Sequence, residues 1–208
     1  ITAAFPSIIG GVIIGTVMNA PTPDDLKAAY TAEQQRVIAQ IGSTPLSDLD
    51  SLAAWRGAFR TFNVDPTKYR SAAEALLRRR TKQGDIPSIN TLVDVGNMVS
   101  IRYGLPVAVL DVGGLVGEGI AVQFATGDEN FLGIGVEEAE HPEKGEVIFA
   151  DEGGNIYARR WCWRQSKGSA AQPDTTRVIV TVEAHHANGQ DDVAAALKDL
   201  EQLLTQYA

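Results

Sequence analysis

The side chains best spaced to act together are Asn90, Asp94 and Asn97, four and three residues apart. On a helix that spacing sets all three on one face. The run Ile89-Asn90-Thr91-Leu92-Val93-Asp94-Val95-Gly96-Asn97 is otherwise mostly apolar. Polar groups buried on such a face need partners. Two uses stay open: bonding the backbone of a neighbouring strand, or lining a pocket. A second group is Arg78-Arg79-Arg80 with Lys82. These cations either complement the negative end of a helix or contact phosphate. A third is Arg159-Arg160-Trp161-Cys162-Trp163-Arg164. Read as a strand, it puts Trp161 and Trp163 on one face and Arg160 and Arg164 on the other. That is either a pair of buried indoles beneath solvated guanidiniums, or a cationic and aromatic surface for RNA.

Other chemistry lacks its residues. There is no glycine-rich phosphate loop ending in Lys-Ser or Lys-Thr, no Gly-x-Ser-x-Gly elbow, no paired cysteines and no His-Glu-x-x-His. No metal or cofactor is therefore expected. His185 and His186, adjacent on a strand, point to opposite faces and cannot readily share an ion. Cys162 is the only cysteine, so no intrachain disulfide can form. This fits a reducing, cytoplasmic setting, and the thiol reads as packing rather than a nucleophile. The formal net charge of -8 and a pI near 4.9 argue against a strongly basic nucleic-acid binder. Any RNA contact would use a local basic patch on an acidic body, and no DNA partner is expected. The apolar start, Ile1–Met18, lacks a basic leader, is interrupted by Pro6 and Gly10-Gly11, and is too short to span a bilayer. It reads as a buried strand over Ile8–Val17, and no membrane partner is expected.

The elements that must position these groups follow from periodicity. Asp24–Ile41 reads as a helix opened by Pro23-Asp24 and ended by Gly42, and Asp48–Phe62 as another, with Leu52, Trp55 and Phe59 in its stripe. Ser71-Ala72-Ala73-Glu74 is a capping box opening a helix through Leu76 and Leu77. Ser88 is placed to cap a helix over Ile89–Tyr103, closed by Gly104 and Pro106. Strands are expected at Val107–Val112, Gly119–Ala125, Glu146–Asp151, Ile156–Trp163 and Arg177–Ala184, with a hairpin turn at Asp151-Glu152-Gly153-Gly154. Gln165–Asp174 reads as a mobile loop, and Asp191–Tyr207 as the last helix. Helices fill the first half and strands the second, which argues an α+β fold, a single domain over the 208 residues.

The run Ile89–Asn97, then Gly104-Leu105-Pro106, Asp111 and Gly119-Ile120-Ala121-Val122, resembles the B3/B4 (tRNA-editing) domain of the bacterial phenylalanyl-tRNA synthetase beta subunit. Tyr69-Arg70-Ser71-Ala72-x-Glu74-x-Leu76-x-Arg78-Arg79 and Arg159–Arg164 are similar to elements of its free-standing members. The likeness runs in order from about Trp55 to Ala184. It implies a mixed, mostly antiparallel sheet flanked by helices. It also implies a site for a wrongly attached amino acid, with tRNA and the aminoacyl group as partners and ester hydrolysis by positioned water as the reaction. By position, Asn97 matches a pocket asparagine of the family. Gly96 stands where the synthetase usually has threonine, and Ala108 where it often has histidine. The family's pocket glutamate should fall near Trp163–Gln165, where no carboxylate occurs. The substrate-binding set on this reading is Asn90, Asp94, Gly96, Asn97, Ala108, Trp161, Trp163 and Gln165. The RNA-binding set is Arg78, Arg79, Arg80, Arg160 and Arg164, and no catalytic residue is assigned. Loss of hydrogen-bonding groups should cost discrimination for a substrate hydroxyl. The expected substrate is therefore not mischarged Tyr-tRNA. Two other readings share the fold: a non-catalytic module binding a tRNA end or an amino acid, and a small-molecule hydrolase that never meets RNA.

Overall fold

Seven strands and five helices follow one another in a computed structural model that describes residues 1–208. Strand β1 (Ile9–Thr16) leads to α1 (Asp24–Ile41), a 3-10 turn over Leu46–Asp48, α2 (Asp50–Thr61), α3 (Ala72–Gln83) and α4 (Thr91–Tyr103). Then come β2 (Val107–Asp111), β3 (Ile120–Phe124), β4 (Val147–Asp151), β5 (Ile156–Arg159), the two-residue β6 (Arg164–Gln165), β7 (Arg177–Ala184) and α5 (Gly189–Tyr207). The strands divide between two antiparallel sheets, ordered β1-β7-β2 and β3-β4-β5-β6.

The first sheet is the partition of the molecule. Along β7, Val178, Val180, Val182 and Ala184 point into a core built with α1, α3, α4 and α5. Alternation turns Ile179 to the opposite face, where Trp55 and Phe59 of α2 meet Phe149 and Tyr157 from the second sheet and Trp161 from the turn after β5. β2 alternates in the same way, with Val107 and Val109 toward the helices and Ala108 and Leu110 toward the second sheet. Because β7 is central, β2 lies at a sheet edge, where Ser169 and Gln165 bond part of its outer backbone.

Capping explains the helix starts. Ser71 Oγ accepts from the Glu74 amide at 3.3 Å, which is half of the expected box. Glu74 instead turns inward, 1% exposed, and takes Arg56 at 2.7 Å. The cap of α4 is Asn90, whose side chain accepts from the Val93 amide at 3.0 Å. Ser88 lies outside the helix.

Three expectations are corrected. β1 is an edge strand with one open face, leaving Val12 57% and Ile14 76% exposed, so it is not a buried strand. The strand expected to reach Trp163 stops at Arg159, because Arg160 and Trp161 enter the left-handed region at φ 43° and 61°. Such strain persists only where surroundings hold it. Here Arg159 forks onto Glu146 at 2.9 Å twice, and Glu146 also takes the Arg160 amide at 3.0 Å. The Gln165–Asp174 segment is tied down rather than loose. Ser169 Oγ donates to the Tyr157 carbonyl at 2.9 Å, Thr175 bonds Asp111, and Ala171 is buried.

Candidate functional site

A cavity of about 720 Å³ opens beside the first half of α4. Its wall is Asn90, the cap of α4, with Val93, Gly96 and Asn97 of the helix, and Val107 and Val109 of β2. Asn19-Ala20-Pro21, between β1 and α1, forms one rim, and the Ala170–Pro173 segment forms the other. Its walls are mostly aliphatic, and none of its lining side chains ionises.

The three polar residues on the α4 face have separate tasks. Asp94 is fully buried and accepts from Thr22 Oγ1 at 2.6 Å, from the Ile89 amide at 2.9 Å and from Ser88 Oγ. It latches the approach to α1 onto the approach to α4 and does not line the cavity. Asn90 spends its carbonyl on the helix cap and its amide nitrogen on the Ala171 carbonyl at 3.2 Å. It thus fastens the far rim to the helix start. Asn19 does the same from the near rim, accepting from the Leu92 amide at 3.3 Å and donating to the Gln172 carbonyl at 2.8 Å. Asn97, half-buried on the cavity wall, is left to face the hollow. Behind it the buried Tyr30 hydroxyl lies near the Asn97 side chain without a well-aligned hydrogen bond. Burial and the nearby Asp94 carboxylate hold that phenol well above its ordinary pKa.

Gly96 brings α4 against β2. A Cβ there would stand 2.9 Å from Val109 Cγ2 and 3.7 Å from Val107 Cγ1. The Val109 carbonyl accepts from Gln165 Nε2 at 2.9 Å, and the same nitrogen reaches the Ser169 carbonyl at 2.6 Å. In an antiparallel strand a residue turns both its N–H and C=O the same way. The Val109 carbonyl points away from β7, so the N–H groups of Val109 and Val107 also leave the sheet, toward the cavity these residues line.

The other residues singled out in the sequence, Gln165 apart, lie elsewhere. Ala108, Trp161, Trp163 and Gln165 border a separate hollow of about 70 Å³ on the opposite face of β2. The two hollows share Val107 and Gln165. Trp161 is fully buried, with Nε1 on Glu183 at 2.9 Å. Arg160 is 7% exposed and stacks on Tyr69 at 3.9 Å and on Trp163 at 4.7 Å. Arg78 and Arg79 border a groove outside α3, and Arg80 is not part of it. Arg164 is exposed beside Trp163. His185 packs edge-on against Trp55 and Trp161, and His186 bonds Asp192 at 2.8 Å. Burial, then the Glu183 carboxylate, push the Cys162 thiol well up, so it is no ready nucleophile.

Sequence reasoning missed Glu183. It borders the small hollow with Thr181 and Cys162, and burial pushes its carboxyl up to about 7. The signal was present: a glutamate between Val182 and Ala184 in an apolar strand, on the face opposite the valines, is forced inward by alternation.

The fold and site define an α+β domain that partitions two hollows with one three-stranded sheet. By sequence, the chain belongs to the B3/4 domain family, whose model matches residues 54–207. Among solved structures, an N-terminal fragment of the phenylalanyl-tRNA synthetase beta-subunit from Pyrococcus horikoshii is similar at 14% identity and a TM-score of 0.45, covering 56% of this chain and 39% of that one. No curated protein matches the chain. No helix is long and apolar enough to cross a membrane.

Proposed function

We propose that the chain binds the aminoacyl end of mischarged tRNA in the cavity beside α4 and hydrolyses its ester. The observation that carries this reading is a largely aliphatic hollow of about 720 Å³ beside the outer edge of β2, with Asn97 on its wall. Ligand sites combine apolar walls with a few convergent polar groups in this way. The aliphatic walls take the amino-acid side chain and Asn97 orients the ester. The outward N–H groups of Val107 and Val109 supply donors for the oxyanion that forms when water attacks. The substrate side chain is apolar, because no charged group meets it and Gly96 offers no side-chain hydrogen bond to a hydroxyl. The test is release of amino acid from a panel of mischarged tRNAs. Release that falls at least tenfold in Asn97→Ala, with comparable turnover of Phe-tRNA and Tyr-tRNA, is the expected result. A strong preference for Tyr-tRNA would overturn the assigned specificity.

A second reading is supported by one observation: no ionisable side chain lines the larger cavity. On that reading the domain binds an aminoacyl end or an amino acid without cleaving it. Binding without release across the whole panel would favour it.

A further inference from the structure

The outer edge of β1 carries backbone groups that nothing in the chain satisfies. β1 pairs with β7 in an unbroken antiparallel register, from Ile9 opposite Ala184 to Thr16 opposite Arg177. Just past it, the Val17 amide donates to the Thr176 carbonyl at 2.9 Å. Residues that exchange bonds with their opposite number recur at every second position of an antiparallel pair. Ile9, Gly11, Ile13 and Gly15 therefore bond β7. The N–H and C=O groups of Gly10, Val12, Ile14 and Thr16 point the other way, where no strand lies and no loop or side chain bonds them. The side chains of the same residues turn to solvent, leaving Val12 and Ile14 exposed, with exposed Met18 just beyond the strand.

Natural sheets blunt such an edge with charges, proline, a bulge or a covering segment. β1 has none of these. Its register shows no bulge, no proline falls between Pro6 and Pro21, and no side chain from Ile1 to Pro23 is charged. The edge is also complementary to itself. Two copies of β1 laid antiparallel about a twofold axis at Ile13 set Val12 opposite Ile14 and Gly10 opposite Thr16 as bonded pairs. Each outward N–H then meets an outward C=O, and the exposed Val12 and Ile14 of one copy cover those of the other. Charge favours the same occupant. Two chains of net charge -8 repel over most of their surface, but along this strand they approach without a charge on either side. We propose that β1 docks the β1 of a second copy, joining two three-stranded sheets into one continuous sheet. A twofold contact uses each β1 once, so association stops at the dimer. The proposal is independent of what the cavity binds. A strand of a different protein is the rival occupant.

The test is sedimentation of the full chain across a concentration series, with amide hydrogen exchange read residue by residue. The mass should rise from 22.2 kDa toward twice that value and no further. Ile14→Pro removes an outward N–H that β7 does not use, a substitution an edge strand tolerates. Symmetry removes that bond twice, so self-association should weaken by about tenfold or more. Should the proline chain fail to fold, Ile14→Lys carries the test, because its side chain lies in solvent in the single chain and meets apolar Val12 in the pair. In the native chain the amides of Gly10, Val12, Ile14 and Thr16 should exchange fast when dilute and slowly when concentrated. Those of Gly11, Ile13 and Gly15 should stay protected at both. A mass of 22.2 kDa at every concentration overturns the second copy and leaves the edge to a foreign strand. A dimer that both variants keep unchanged, or a mass that grows past the dimer, overturns the twofold pairing.

Discussion

At the scale of residues, the same spacing that marks Asn90, Asp94 and Asn97 conceals three different jobs. Their common face was legible, because four-and-three spacing fixes it. Their division of labour was not, because the partners of Asp94 include Thr22, 72 residues away. Asp94→Ala should lower stability by about 2–4 kcal/mol by orphaning buried donors, read as a shift of the urea midpoint. Asn97→Ala should cost less than about 1 kcal/mol and show its effect in ligand binding instead. The pair Glu183 and His185 gives a pH signature. Burial raises Glu183 to about 7 from 4.5, so its contribution is present below pH 4.5 and lost as pH rises toward 7, on the order of 3 kcal/mol. Burial lowers His185 to about 4 from 6.5, so its contribution is lost as pH falls from 6.5 toward 4. Between pH 4.5 and 6.5 the two slopes oppose each other. Glu183→Gln should therefore expose a stability that climbs with pH across that window, measured by urea unfolding at several pH values. An unchanged profile would contradict the burial of one or the other.

At the scale of elements, legibility followed the strength of the pattern. α1 and β7 occupy the spans their periodicity indicates, Asp24–Ile41 and Arg177–Ala184. β5 ran too long in the sequence because Trp161 and Trp163 favour strands, whereas the Glu146 carboxylate gathers this backbone into a left-handed turn. The cap of α4 was misplaced by two residues because Ser88 and Asn90 are equally good cap types. Only the fold decides which is free, and Ser88 is engaged by Asp94. β1 was read as buried from its apolar composition, but position at a sheet edge is a tertiary fact. Its inner face shows how tightly β1 meets α5. A Cβ at Gly11 would stand 2.4 Å from Leu197 Cδ1 and 3.0 Å from Val193 Cγ1. Gly11→Val should thus cost about 1–3 kcal/mol by overpacking, read as a lower thermal midpoint with ligand binding retained by the folded fraction.

At the scale of the molecule, charge and cavity are arranged apart. The chain is acidic overall, five of its cations border a groove outside α3, and none lines the larger hollow. The α+β class was legible from segregated helices and strands, and the family from several runs of residues in the same order, Ile89–Asn97 chief among them. The second sheet and the second hollow were not, because both depend on which face of β2 meets which layer. The account depends on the larger hollow being a seat for an aminoacyl group. Val93, half-buried on α4, lines it without a polar role, so Val93→Phe should fill the seat while preserving the helix. The direct measurement is equilibrium binding of 3′-phenylalanylamino-3′-deoxyadenosine, an uncleavable nucleoside without phosphate, to the native chain and to V93F. Binding by the native chain, at least tenfold weaker in a V93F chain of similar melting temperature, is the predicted result. Equal binding by the two would place the ligand elsewhere and contradict the account.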